Sequence, residues 1–219
     1  MEPQGKSGEQ KMFDAGMLTF REFAMGETLP LASIQAAVLE FLRDRDDVVV
    51  FGAQAVNAYV SEPRMTQDID LLSPRAAALA DELREHLSSR FHIAIRIREV
   101  AEGRGFRLYQ IQKPNNRHLV DVRAVETLPP AQRIAQVLVI APAELIALKV
   151  IAYHGRRGQP KSGSDWRDLA MLLLAFPELK QTSGPVAGAL RAAGADEGAL
   201  AVWRELVAQT IQPPEDEGF

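Results

Sequence analysis

The chain has 219 residues, 47% of them hydrophobic and 25% charged, with a formal net charge of −4. Such a composition fits one large or two small soluble globular domains, and the acidic balance argues against a protein that coats nucleic acid indiscriminately, although a local basic patch can still grip RNA. The lack of cysteine excludes disulfide frameworks, thiolate metal sites and cysteine nucleophiles; the four histidines (His86, His92, His118, His154) form no close ligand pair, which disfavours zinc and leaves carboxylate-bound magnesium or manganese open.

Residues 1–16 are polar and contain glycine, which predicts a disordered start, and they lack the apolar core of a signal peptide. From Ser33, SIQAAVLEFLRDR places apolar residues at helical spacing with Ser33 as N-cap. VVVF at 48–51 reads as a buried strand ending at Gly52, and AQAVNAYV at 53–60 as a helix opening directly from that glycine. DIDLL at 68–72 reads as a second strand, and Ser73-Pro74 as the start of a helix to about Ser88. In FHIAIRIREV (91–100), Phe91, Ile93, Ile95 and Ile97 alternate with smaller or polar residues, the pattern of a strand whose isoleucines face the core. A turn at 102–105 leads into a hairpin partner, GFRLYQIQ (105–112), and a further strand, HLVDVRAV (118–125), follows.

From Ala141 the character changes, with helices expected at 142–154, 164–176, 186–194 and 197–209. The most apolar stretch, Val137 to Tyr153, is broken by Pro142, Glu144 and Lys149 and is poor material for a membrane span, so a cytoplasmic location is expected. The expected division is an αβ core over 17–128, a helical domain over 129–212 and a loose acidic tail over 213–219.

Asp68 and Asp70 raise a physical question, because side chains two apart on a strand share a face and like charges there repel. Divalent cations cancel that repulsion. Upstream, Gly52 and Ala53 open a helix whose free backbone N–H groups and partial positive charge suit a phosphate, and Gly52 carries no Cβ to hold a ligand away. Asp121, between Val120 and Val122, points away from the face those valines bury and supplies a third carboxylate. Together these groups suit Mg²⁺ (or Mn²⁺) bridging to a nucleoside triphosphate. For Asp121, capping a turn or pairing with Arg123 is the plainer alternative. His118 and His154 read as structural or surface residues.

The stretch VVFGAQAVNAYVSEPRMTQDIDLLS resembles the nucleotidyltransferases of the DNA polymerase β superfamily, and most of all the AbiEii-type toxin nucleotidyltransferases. The resemblance spans residues 30–176, about two thirds of the chain. It implies an α+β fold with a polymerase-β-like core of mixed sheet and flanking helices, followed by a helical C-terminal domain. It also implies metal-binding roles for Asp68, Asp70 and Asp121, a part for Arg64 and Thr66 in orienting the acidic loop or touching phosphate, and a triphosphate contact for Lys149. The basic stretch Arg156, Arg157 and Lys161 and the acids Asp165 and Asp168 match the family's later motifs. Plainer readings stand beside these: Arg64 paired with Glu62, Lys149 snorkelling to water, a solvated basic loop, and Asp165 and Asp168 as acids at a helix start. Two positions depart from the pattern, Ala53 where a serine is common and Ser164 where a basic residue is common.

The expected activity is magnesium-dependent transfer of a nucleoside monophosphate to an acceptor hydroxyl. The resemblance implies an RNA acceptor, such as a tRNA 3′ end, and a cognate antitoxin in a toxin–antitoxin or defence setting. A protein or small-molecule acceptor, or a non-catalytic nucleotide- or partner-binding module, are the alternative readings.

Overall fold

The structure, a computed structural model, describes Glu22, Glu27 and residues 29–213. The expectations for residues 1–16 and for the tail beyond 213 lie outside those residues.

Helix α1 (Leu31–Phe41) starts after Pro30 with no side-chain cap, so Ser33 lies within its first turn instead of capping it. Strand β1 (Val49–Phe51) runs straight into α2 (Gly52–Tyr59), as the sequence predicts. Strand β2 is Ile69–Ser73, leaving Asp68 just ahead of it. Ser73 stays in the strand because its hydroxyl donates to the Asp47 carbonyl (2.7 Å) and accepts from the Arg75 N–H (3.0 Å). Helix α3 (Ala76–Phe91) therefore starts later and ends later than expected, and Phe91 closes the helix instead of opening a strand.

The hairpin β3 (Ile95–Val100) and β4 (Gly105–Gln110) is followed by β5 (Arg117–Ala124). The sequence reading ends the sheet near residue 128, but β6 (Ala131–Ile134) and β7 (Val137–Ile140) follow. VLVI at 137–140 misleads because a short continuous apolar run, the signature of a strand buried on both faces, has no period to separate it from helix. Among the described residues the sheet has seven strands in the order β3-β4-β5-β2-β1-β7-β6. It is mixed: β2 lies antiparallel to β1 and parallel to β5, and β1 lies parallel to β7. This is the α+β architecture the sequence predicts.

The chain forms two compact units, one reaching to Gln54 and resuming over Arg64–Val139, the other comprising Ala55–Pro63 and the chain from Ile140. In the first, α1 and α3 cover one face of the sheet. Ile34 and Val38 from α1, Leu79, Leu83 and Leu87 from α3, and Ile69, Leu71, Leu108, Val120 and Val122 from the strands form its core. Each leucine there is fully buried and contributes about 2 kcal/mol by leaving water. Ile95 and Ile97 are half-buried and pack on this core from the edge strand.

In the second unit, α4 (Pro142–Gly155) packs against α5 (Lys161–Ala175), α6 (Pro185–Ala192) and α7 (Glu197–Ala208). Asp196 caps α7 by accepting from the Ala199 N–H at 2.7 Å, and the Trp203 indole donates to the Gln181 carbonyl at 3.1 Å. Among the described residues, no helix is long and apolar enough to cross a membrane.

Candidate active site

The face of the first unit's sheet opposite α1 and α3 carries the acids. Period-two alternation sends Ile69, Leu71, Val120 and Val122 into the core, so Asp70 and Asp121 project from the other side. Register then brings them together: β2 and β5 run parallel with Asp70 opposite Asp121, and Phe51 at the end of β1 lies opposite Asp70. Across β4, Arg107 lies opposite Asp121.

Each acid has a basic neighbour. Arg107 Nε is 3.4 Å from Asp121 Oδ2, Arg123 Nη2 is 3.8 Å from Asp70 Oδ1, and His118 Nδ1 is 3.1 Å from Asp68 Oδ2. The Asp121 carboxylate, almost fully buried, holds the Arg107 guanidinium protonated beyond its ordinary range, chiefly through its charge. Arg123 also lies over the Phe51 ring at 4.9 Å, and His118 stacks on Tyr109 with centroids 4.9 Å apart. Two buried nitrogens on this face, Arg107 Nε and His118 Nε2, make no hydrogen bond.

Gly52 is shaped by Asp70. Its φ is +69°, and a Cβ built there would stand 2.0 Å from Asp70 Oδ2. The missing side chain is filled by a carboxylate, which brings the start of α2 against the acid pair. Ala53 is half-buried beside it. Gln54, next in the helix, donates to the Thr66 hydroxyl at 2.7 Å, and Gln35 donates to the Thr66 carbonyl at 3.1 Å. Thr66 is thereby tied to α1 and α2 two residues before Asp68. Arg64 Nη1 reaches the Met65 carbonyl at 3.4 Å.

Lys149, Lys161, Asp165 and Asp168 belong to the second unit. Lys149 does not snorkel: it is buried and donates to Asp168 Oδ2 at 2.6 Å, with Asp165 Oδ1 at 3.9 Å. Asp165 is not a helix-start acid, since α5 begins at Lys161 and places it in the second turn, buried, accepting from Arg156 at 2.8 Å. The basic stretch is not a bare solvated loop either. Arg156 meets Asp165, Arg157 pairs with Glu205 at 2.6 Å, and Lys161 is exposed in the first turn of α5.

Sequence reasoning missed His118, Arg107, Arg123, Gln35 and Gln54. Alternation in GFRLYQ sets Arg107 and Tyr109 on one face, a usable signal. The partnership of Tyr109 with His118 depends on a bulge between Leu108 and Tyr109, which no periodicity reveals.

Among the described residues, no three His, Asp or Glu side chains are grouped to hold a metal ion. Asp70 and Asp121 still offer hard carboxylate oxygens at paired positions of adjacent strands. Magnesium is commonly held by one or two carboxylates, with phosphate and water completing its shell, so this donor set fits it.

In fold the chain is similar to the Megavirus polyadenylate synthase, at 14% identity and a TM-score of 0.57, over 72% of this chain and 34% of that one. The chain thus spans about a third of that protein's length. It is also similar to JHP933 from Helicobacter pylori, at 11% identity and a TM-score of 0.52, over 87% and 92% of the two chains. No curated protein matches it in sequence. Residues 36–217 match the family described as "Nucleotidyl transferase AbiEii toxin, Type IV TA system". Fold and family together define a nucleotidyltransferase. The chain belongs to the AbiEii family of type IV toxin–antitoxin systems.

Proposed function

We propose that the enzyme moves a nucleoside monophosphate from a triphosphate to an RNA 3′ hydroxyl, with Asp68, Asp70 and Asp121 as its acidic centre. The observation that carries this reading is the register that sets Asp70 opposite Asp121, with the Gly52 backbone against Asp70. Asp70 and Asp121 would hold Mg²⁺ (or Mn²⁺), which when bound supplies charge neutralisation and Lewis acidity at the α-phosphate.

The chain's own groups do the rest. Backbone N–H groups of Gly52, Ala53 and Gln54 lie at the start of α2 and suit phosphate oxygens. With Ala53 lacking a hydroxyl, those main-chain donors carry the contact. Asp121 accepts the proton of the attacking hydroxyl, whose oxygen bonds to the α-phosphorus as the bond to pyrophosphate breaks. Thr66, tied by Gln35 and Gln54, fixes the loop that presents Asp68. The setting we propose is cytoplasmic, with the antitoxin restraining this activity.

The test is incubation with each labelled nucleoside triphosphate, total RNA, lysate protein and Mg²⁺. Label on RNA that disappears in Asp70→Asn/Asp121→Asn and after chelation is the expected result. Label on protein or a small molecule instead would replace the acceptor, and transfer that survives the double substitution would overturn the assignment of the acids.

A further inference from the structure

The sheet face that carries the acids continues outward as a basic and aromatic surface. The pairing of Asp70 with Asp121 and of Asp121 with Arg107 extends one strand further, where Arg107 lies opposite Arg98 on edge strand β3. This row covers three inter-strand steps, about 14 Å. Beside it runs a second row, in which Arg96 lies opposite Tyr109 and Tyr109 opposite His118. Arg96 and Arg98 are exposed and form no ion pair with any described residue. Two arginines facing each other across a strand pair repel, so Arg98 opposite Arg107 costs the fold stability. An anion lying across the pair removes that cost.

We propose that this face of β3, β4 and β5 seats the single-stranded 3′ end of an RNA, with phosphates on Arg96, Arg98 and Arg107 and a base against the Tyr109–His118 stack. The inference rests on the reading of Asp70 and Asp121 as the centre of nucleotidyl transfer to RNA, and adds where the acceptor lies. Strand order separates the two substrates: Gly52 follows β1 on one side of the acids, and the arginines lie beyond β5 on the other. The arginine rows therefore do not crowd the phosphate site at α2. Guanidinium groups meet phosphates through paired N–H donors, and an aromatic pair accepts a base of any identity by stacking. The buried His118 Nε2, which makes no hydrogen bond, stands ready for a polar atom of a ligand. A duplex keeps its bases stacked away from such a platform, so the surface suits a single strand.

The test uses the full chain and fluorescence anisotropy, with a labelled single-stranded oligoribonucleotide ending in CCA and a blunt RNA duplex as comparison. Arg96→Gln/Arg98→Gln is expected to weaken single-strand binding tenfold or more and to flatten the dependence of log K on log salt by about 1.4, at 0.7 per lost phosphate contact. Tyr109→Ala is expected to weaken binding about tenfold with an unchanged salt slope, since stacking is not ionic. Arg98→Glu, which turns a repulsive cross-strand pair into an attractive one, is expected to hold or raise Tm while lowering RNA affinity, so its loss cannot be unfolding. Calorimetry with ATP should give the same affinity in all three variants. Wild-type affinity for RNA in these variants, or equal binding of duplex and single strand, would overturn the proposal. If transfer to RNA needs Asp70 and Asp121 but ignores the arginines, only the acceptor seat falls; if transfer ignores the acids, the reading beneath it falls as well.

Discussion

Lys149 donates to Asp168 across 2.6 Å, and both side chains are buried within the helical unit. Asp165 lies 3.9 Å from the same ammonium and takes Arg156 on its other side, so four charges form one alternating chain. Removing one member strands a buried charge. Lys149→Ala is expected to destabilise this unit by about 3–5 kcal/mol, whereas Lys149→Met/Asp168→Leu should recover much of that loss. Urea denaturation of the three proteins checks it. The consequence for enzymology is direct: lost activity in Lys149→Ala reports folding as well as chemistry. A stable but inactive double variant would assign the lysine–aspartate pair a part in the reaction, and a stable, active one would make the pair purely structural.

Gly52→Ala places a methyl 2.0 Å from Asp70 Oδ2 and 2.7 Å from its Cγ, at a φ of +69° that L-residues avoid. The carboxylate must move or the start of α2 must shift. Stability is expected to fall by about 1–2 kcal/mol from the backbone strain. Activity should fall further, on the order of 100-fold, because a displacement near 1 Å at a reacting centre costs that much. Single-turnover rates against Tm separate the two losses. A variant that keeps its rate would show that Asp70 has no fixed place in catalysis.

The acid face was legible in the sequence because alternation is local: Val120-Asp121-Val122 and Ile69-Asp70-Leu71 each announce which side they occupy, whereas Asp68, expected on the same strand, lies just ahead of it. Pairing is not local. Arg107 meets Asp121, and Arg98 meets Arg107, only through the register of strands that the chain does not number. His118 faces Tyr109 only because its own strand carries an extra residue, Leu119, between the partners of Leu108 and Tyr109. Lys149, Asp165 and Asp168 were each singled out, yet their mutual contact joins two helices and shows only in three dimensions. Strand β7 escaped because four apolar residues in a row carry no period, and β6, AQRI, because a short half-exposed strand with no apolar alternation carries no strand signal.

Asp47 makes the first unit sensitive to acid. Its carboxylate accepts from Arg45 at 2.9 and 2.8 Å and from Arg75 at 2.7 Å. The Arg45 hydrogen bonds hold its pKa below the ordinary carboxylate value, against the opposing effect of burial. A carboxylate whose folded pKa is depressed stabilises the fold above its unfolded pKa and loses that contribution as pH falls through the folded one. Stability should therefore be steady from neutral pH to about 5 and decline below about 4. Asp47→Asn is expected to cost about 1 kcal/mol at pH 7 and to flatten the acid limb of the curve, as read from urea midpoints at pH 7, 5 and 3. An unchanged acid limb in the variant would show that other carboxylates govern it.

Thr66 is the point where the loop before Asp68 is tied down. Its hydroxyl accepts from Gln54 at 2.7 Å and its carbonyl from Gln35 at 3.1 Å, so one residue links α1, α2 and the acidic loop. Thr66→Val keeps the shape and removes the hydroxyl, leaving the Gln54 amide without its shortest partner. The expected cost to stability is about 1 kcal/mol. If the tie serves to hold Asp68, kcat should fall about tenfold with KM for the triphosphate little changed, since the interaction would matter most in the transition state. Amide hydrogen exchange should quicken at residues 65–68. Gln35→Leu leaves the Gln54 bond intact and should produce a smaller fall. The Thr66→Val/Gln54→Leu double variant should lose little more than Thr66→Val alone, because the 2.7 Å bond is common to both changes and what Gln54→Leu adds is only its long 3.4 Å contact to Gln35. Additive losses in that cycle would mean Thr66 and Gln54 act separately, and the loop would then be held by something other than this contact.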